Sequence, residues 1–312
     1  MEKLVKHFEW RFLGPRFWGV WVGLVLLWLV SFLPRSLFHA IAGQVGLLAM
    51  RLNHKRRRIA EINLSLCFPD MEEAERTRLL RDNFRLAGIC LFDLGVIWLR
   101  GRSRLEKVTH IEGAEHYHAA REAGKQVILL TGHTLALDHG ATALAMNYAR
   151  HGTKAVSMYK PQSNDLLAWL MFRARTQYGV KIYAREEGLR PIIKDIKQGS
   201  VFYYLPDEDL GPEDSIFVPL FGVPKATVPA LGSLARLTNA AVLPCVSQYI
   251  EEEARYLVRI MPALEDYPSG DKVSDAFRMN EALEQLILRD RKQYMWVYKL
   301  FKTRPEGEEG IY

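Results

Sequence analysis

"QVILLTGHTLALDHGATALAM", residues 126–146, is the stretch on which the fold turns. Its first half, Gln126 to Leu130, is a β-rich apolar run that reads as a buried strand, and its second half, through Met146, carries a helical pattern. Where one gives way to the other stand three polar side chains, His133, Asp138 and His139. A polar group lodged in such a junction costs stability unless it is paired, so each needs a structural partner or a reaction.

The same alternation continues outward. "KAVSMYK" precedes "NDLLAWLMFRARTQYG", "VKIYA" precedes "GLRPIIKDIKQG", and "SVFYYLP" leads through a loop to "PALGSLARLTN". "AVLPCVSQY" and "RYLVRIM" then precede "DAFRMNEALEQLIL". Short strands alternating with helices predict an α/β domain, a sheet flanked by helices. Gly124, Gly152, Gly179 and Gly199 stand where helices end, the usual place for a left-handed terminating residue. Upstream, "EEAERTRLLRDNFRLAGICLFDLGVIWL" has an unbroken helical period.

The chain has 312 residues, 49% of them hydrophobic and 25% charged, ordinary values for a globular protein. Its net charge of +6 belongs to one end: residues 1–60 hold ten Lys and Arg against only Glu2 and Glu9. Cys67, Cys90 and Cys245 form an odd set without metal-ligand spacing, which argues against a disulfide framework or a zinc site and suits a reducing compartment.

The basic end also holds the longest apolar run, "FWGVWVGLVLLWLVSFL", Phe17 to Leu33, bounded by Arg16 and by Pro34 with Arg35. It is too long for a signal's apolar region and lacks a small-residue cleavage site. A core helix is an alternative reading, but the tryptophans Trp18, Trp21 and Trp28 suit the headgroup level, so the run is read as a membrane anchor, spanning or steeply embedded. The cluster Lys55, Arg56, Arg57 and Arg58 then suits anionic lipid. Lys3, Lys6, Arg11 and Arg16 precede the run, and the excess of positive charge after it favours a cytoplasmic body. The expected organisation is a membrane anchor with a basic juxtamembrane segment at residues 1–60 and a catalytic domain at residues 61–312. A nucleic-acid reading of the basic cluster fails because the surplus ends at residue 60 and no aromatic-studded groove follows.

On one continuous helix His133 and Asp138 would be about 140 degrees apart. With His133 in the turn after the strand and Asp138 in the first turns of the helix, they can converge at the strand's carboxyl end, where open α/β sheets place their sites. The imidazole would take a proton, and the carboxylate would fix its tautomer. His139 could equally be the partner, and the same spacing fits a purely structural role, with Asp138 on the helix dipole and His133 bonded locally. No GxSxG, HExxH, Walker A or GxGxxG sequence occurs, and Ser233 and Cys245 lack a nucleophile's frame. A base without an enzyme nucleophile would deprotonate a substrate hydroxyl.

These residues carry a resemblance. "GPRFWGVWVG", "RRRIAEINLSLCFPD", "GHTLALD", "YYLPDEDLGPEDSIFVPLFGVPKATVPALG" and "QYMWVYKLFKTRPEG", in this order, resemble the late acyltransferases of lipid A biosynthesis, the lauroyl and myristoyl transferases. These sit within the HxxxxD/E lysophospholipid acyltransferase superfamily. The resemblance implies a mixed sheet flanked by helices of the glycerol-phosphate-acyltransferase kind, with an N-terminal membrane-anchoring helix, at the bacterial inner membrane and facing the cytoplasm. It implies transfer of a laurate- or myristate-class chain from acyl carrier protein to the hydroxyl of a 3-hydroxyacyl chain on a Kdo-bearing lipid A precursor. No metal and no bound cofactor are implied.

Carried over by motif, the resemblance puts the general base at His133 and its orienting carboxylate at Asp138. It puts an anion-binding arginine at Arg175, with Arg173 as the fallback. A further aspartate falls at Asp207, placed to hold an arginine at the sheet's end. Lys160 stands where many relatives have arginine. Acyl carrier protein is acidic, and Arg190, Lys194 and Lys197 are candidates for its docking patch. The alternative is a membrane-bound lipid or thioester hydrolase using the same His and Asp to activate water.

Overall fold

The computed structural model describes residues 5–100, 102–160 and 162–312. Glu2 and Lys3, counted above among the charges of the basic end, lie outside them.

The chain opens with four helices, α1 (Trp18–Val30), α2 (Arg35–Leu52), α3 (His54–Cys67) and α4 (Glu73–Arg100), followed by a short α5 (Arg102–Val108). The α/β body follows as β1 (Thr109–Glu112), α6 (Ala114–Glu122), β2 (Gln126–Leu130), α7 (Leu137–Arg150), β3 (Ala155–Tyr159) and α8 (Asp165–Thr176). It continues with β4 (Val180–Ala184), α9 (Arg190–Lys197), β5 (Val201–Tyr204), β6 (Ile216–Leu220), β7 (Val223–Thr227) and α10 (Leu231–Thr238). β8 (Ala240–Ile250), β9 (Arg255–Ile260) and α11 (Lys272–Leu288) close it.

Seven strands form one sheet in the order β1-β9-β8-β2-β5-β3-β4, with only the β8–β9 pair antiparallel, so the expected mixed sheet flanked by helices is present. β2 lies at its centre, and Val127 to Leu130 are buried on both faces. Side chains of a strand alternate, so Ile128 and Leu130 join Phe202 and Val242 beneath Ile192, Ile196, Leu234 and Met279 from α9, α10 and α11. Val127 and Leu129 face the other way, toward Tyr117 of α6 and Leu144 and Tyr148 of α7. Gly124, Gly152, Gly179 and Gly199 all take positive φ, the left-handed form expected of them.

β6 and β7 make a separate antiparallel hairpin where the sequence reads as a loop. Pro219 and Pro224 face each other in it, and prolines in a short run hide a strand. It turns through Phe221 and Gly222, both at positive φ, as a tight hairpin turn needs.

The apolar run Phe17 to Leu33 does not become one spanning helix, so of the two forms expected of the anchor, spanning or steeply embedded, the spanning one is not seen. Pro34, extended at ψ 142, closes a turn that ends the helix at Val30, because proline lacks the N–H and disfavours helix in the residue before it. The 13 residues of α1 rise about 20 Å, short of the roughly 30 Å hydrocarbon core. No helix among the described residues is long and apolar enough to cross a membrane. α1 has no buried residue; Trp18, Val22, Val25, Leu26 and Leu29 are all exposed.

The boundary expected at residue 60 falls inside α3. Ala60, Leu64 and Cys67 pack with Phe84 of α4 and with Tyr294, Trp296 and Phe301 near the end of the chain. α2 lies along α4 at close range: a Cβ on Gly46 would stand 2.2 Å from the Phe84 carbonyl oxygen, and one on Gly88 2.2 Å from that of Ala42. Val5, Phe12 and Phe17 pack on Leu166 and Trp169 of α8. The N-terminal segment and the α/β body therefore share their cores.

Candidate active site

β2 and β5 are parallel neighbours, and Leu130 pairs with Tyr204. The loops that leave them start level, so a residue three past each strand arrives at the same place. Those residues are His133 and Asp207. His133 Nδ1 lies 2.6 Å from Asp207 Oδ1, and the His133 backbone N–H donates to Asp207 Oδ2 at 2.7 Å. Tyr294 adds a third donor, its hydroxyl 2.8 Å from Oδ2. Gly132 makes room for this: a Cβ there would sit 3.3 Å from both Asp207 Oδ2 and the Tyr294 ring.

The neighbouring loop is sewn down from the far end of the chain. Thr134 forms a bridge with Tyr294, the Met295 N–H donates to the His133 carbonyl at 2.8 Å, and that of Leu135 to the Gln293 carbonyl at 2.8 Å. The Thr134 hydroxyl bonds to the Ser247 carbonyl of β8. The imidazole is therefore fixed by the ends of two strands and by a segment remote in sequence.

Asp138, in the first turn of α7, pairs with a different residue. Arg175 grips it with Nε at 2.7 Å and Nη2 at 2.9 Å, a two-point fork. Asn164 caps the start of α8, accepting from the N–H groups of Leu166 and Leu167, and Arg175 falls in the last turn of that helix. Its guanidinium lies over the Tyr159 ring at the end of β3, 5.5 Å from the centroid. Arg173 instead covers Trp169 on the outer face.

The four expected residues thus gather at the carboxyl ends of β2, β3 and β5, but the partners are exchanged. Asp207, expected to hold an arginine, holds the histidine; Asp138, expected to orient the histidine, holds the arginine. The reason is geometric. Five positions along the chain carry Asp138 into the helix and away from the imidazole, whereas the β2–β5 register brings Asp207 directly onto it. His139 is no partner: it is buried, stacked on Tyr256 at 3.9 Å, and neither ring nitrogen has a hydrogen-bond partner among the described residues. Burial pushes its pKa down to about 4. Cys245 is fully buried in β8, and burial pushes its thiol up to about 12, as suits a packing residue.

Electrostatics follow these pairs. Burial opposes the charged form of His133, but the Asp207 carboxylate, with help from Glu208, outweighs it and raises the imidazole above its ordinary value. Burial alone would raise Asp207; the His133 charge and its hydrogen bonds bring it down to about 2. Asp138 is likewise held below the carboxylate range against its burial by Arg175.

Tyr294, Tyr298 and Glu208 also belong to the site, though no motif in the sequence points to them. The Tyr298 ring meets the imidazole edge-on at 5.1 Å, and Glu208 Oε1 stands 3.6 Å from Nε2. Both tyrosines lie in "QYMWVYKLF", and Glu208 in "LPDED", blocks that carry the resemblance but whose reach to His133 no local pattern reveals.

A family model described as bacterial lipid A biosynthesis acyltransferase matches residues 5–303. The chain belongs to that family. Among its curated relatives, a lipid A biosynthesis acyltransferase of Haemophilus influenzae is 35% identical, covering 97% of this chain and 93% of the relative. The lipid A biosynthesis lauroyltransferase of Escherichia coli is 35% identical over 98% of each chain. The myristoyltransferase of that organism is 34% identical over 98% of this chain and 94% of its own. In this lipid A acyltransferase, then, the paired side chains at the ends of β2 and β5 are the place to look for chemistry.

Proposed function

We propose that this acyltransferase moves a fatty acyl chain from the thioester of acyl carrier protein to the hydroxyl of a 3-hydroxyacyl chain on a Kdo-bearing lipid A precursor, with His133 as general base. The observation that carries the reading is the 2.6 Å contact of His133 Nδ1 with Asp207. An ionised carboxylate only accepts, so the proton sits on Nδ1 and the lone pair on Nε2. Nε2 takes the hydroxyl proton as the oxygen attacks the thioester carbonyl. The carbon–sulfur bond then breaks, and the proton passes from Nε2 to the departing thiol. Asp207 holds the tautomer and stabilises the imidazolium. The names of the lauroyl and myristoyl relatives support a donor of that chain class.

Asp138 serves by aiming Arg175. It occupies Nε and Nη2, which leaves Nη1 to meet a phosphate or sugar carboxylate of the acceptor. The first turn of α7 carries N–H groups that helix geometry leaves without an intrahelical acceptor, suited to a developing oxyanion. No metal or bound cofactor takes part; the acyl carrier protein is a co-substrate, and exposed Arg190, Lys194 and Lys197 on α9 would meet its acidic surface.

The same reading places the enzyme on the bacterial inner membrane with the site on the cytoplasmic side. α1 and the exposed Phe32, Leu37 and Leu48 around α2 offer apolar surface that enters one leaflet without crossing it. The exposed Lys55, Arg56 and Arg58 then lie at the level of anionic headgroups.

His133→Ala should lose at least about 100-fold in transfer while acyl carrier protein still binds. Near-normal turnover would reject the mechanism. Donor consumed equally with and without the lipid acceptor would identify a hydrolase instead.

A further inference from the structure

The His133 ring lies between two carboxylates. Asp207 takes Nδ1 at 2.6 Å, and on the opposite side Glu208 Oε1 stands 3.6 Å from Nε2, beyond an ordinary hydrogen bond. That distance suits the resting state: the Nε2 lone pair and a carboxylate oxygen are both acceptors and have no proton to share. Glu208 is not free to turn away, because Arg185 Nη2 donates to its other oxygen, Oε2, at 2.7 Å. Arg185 directly follows β4 and Glu208 follows β5, so two strand ends set the carboxylate beside the imidazole. Both side chains are half-buried, and an ion pair still in reach of water contributes only modestly to stability. Turned onto Nε2, it bears on the reaction.

We propose that Glu208, held by Arg185, is a positioning residue of the transfer reaction that receives the Nε2–H of His133 once the base has taken the hydroxyl proton. This rests on His133 being the base. On proton transfer the acceptor O–H bond breaks, the electron pair stays on oxygen, and an N–H bond forms at Nε2. Nε2 then becomes a charged donor, and the gap to Oε1 closes to about 2.8 Å. When the proton leaves with the thiol, the contact opens again. Arg185 also offsets part of the carboxylate's charge, so that Glu208 steadies the imidazolium without strongly opposing a developing oxyanion.

The charged groups around the ring are few. Asp207 and Glu208 favour its charged form, and Arg175 opposes it. Behind them Lys225 of β7 is buried, and among the described residues its ammonium meets the Ala226 carbonyl at 3.3 Å; burial holds its pKa below the ordinary lysine value against the attraction of Asp207, Asp209 and Glu208. Tyr294 and Tyr298 complete the surroundings.

The test uses full-length enzyme in membranes, with acyl-acyl carrier protein and a lipid acceptor, assayed from pH 5 to 9. Glu208→Gln keeps the shape and an acceptor for Arg185 but removes the charge. The acid limb of kcat/KM should move to lower pH by about half a unit to one unit. The plateau should fall roughly tenfold in kcat, with KM for the acceptor little changed. Arg185→Met, which unmasks the Glu208 charge, should move the limb the opposite way. A merely structural pair would lower activity or melting temperature in both variants and leave the limb in place, and that result overturns the inference. If His133→Ala is inactive and the limb does not move, only the role of Glu208 fails; if His133→Ala stays active, the general-base reading fails first.

Discussion

Asp207 reaches the same histidine twice, its two oxygens accepting from the ring Nδ1 of His133 at 2.6 Å and from that residue's backbone N–H at 2.7 Å. One contact sets the tautomer and the other sets where the ring begins, so loss of either oxygen loosens the base.

Asp207→Asn should therefore reduce kcat by about 1,000-fold or more in a protein that still folds. The pair also makes stability depend on pH. Asp207 is held down to about 2 against about 3.9 in an unfolded chain, so its contribution is full above about pH 4 and is lost as pH falls toward 2. His133 is raised, so its contribution is present below about 6.5 and is lost as pH climbs through its higher folded value. The melting-temperature gap between wild type and Asp207→Asn, measured in detergent, should be widest between about pH 4 and 6.5. A gap independent of pH would contradict the pairing.

Arg175→Lys keeps the charge and loses the fork. A lysine cannot satisfy both Asp138 oxygens and still face the acceptor, so KM for the lipid should rise by about tenfold with a smaller change in kcat. Steady-state kinetics with the acceptor varied would show it, and an effect confined to the acyl donor would count against an acceptor role.

The crossing of α2 over α4 admits no added atoms. Gly88→Ala should cost about 1–3 kcal/mol, since its Cβ would meet the Ala42 carbonyl at 2.2 Å and the backbones must part. Thermal unfolding would measure this, and an unchanged melting temperature would mean the helices sit further apart.

Leu26 lies in α1 with its side chain exposed, so Leu26→Glu should leave the fold intact. It should weaken binding to anionic phospholipid vesicles by about tenfold or more in a flotation assay, because a charge is costly within the hydrocarbon. Undiminished flotation would show that α1 does not enter the bilayer.

Much of this was legible along the chain. Val127 to Leu130 announced the central strand, and the glycines after α6, α7, α8 and α9 marked helix ends by the positive φ they adopt. His133 stood out because an imidazole directly after a buried strand lacks a local excuse. Its partner did not, since 74 residues separate it from Asp207 and only the register of β2 on β5 brings them level. Asp138 drew attention as the nearer carboxylate, yet α7 carries it toward Arg175. Pro34 was visible as the end of the apolar run, but not that the helix would stop four residues earlier, at Val30.

The seam at residues 293–295 has a consequence for biosynthesis. A ribosome that has passed Asp207 has already produced His133, Asp138 and Arg175, yet the nascent chain still lacks the Tyr294 hydroxyl and the main-chain stitches to His133 and Leu135. A chain released between residues 208 and 292 would therefore carry His133, Asp138, Arg175 and Asp207 without the contacts that fix the His133 loop.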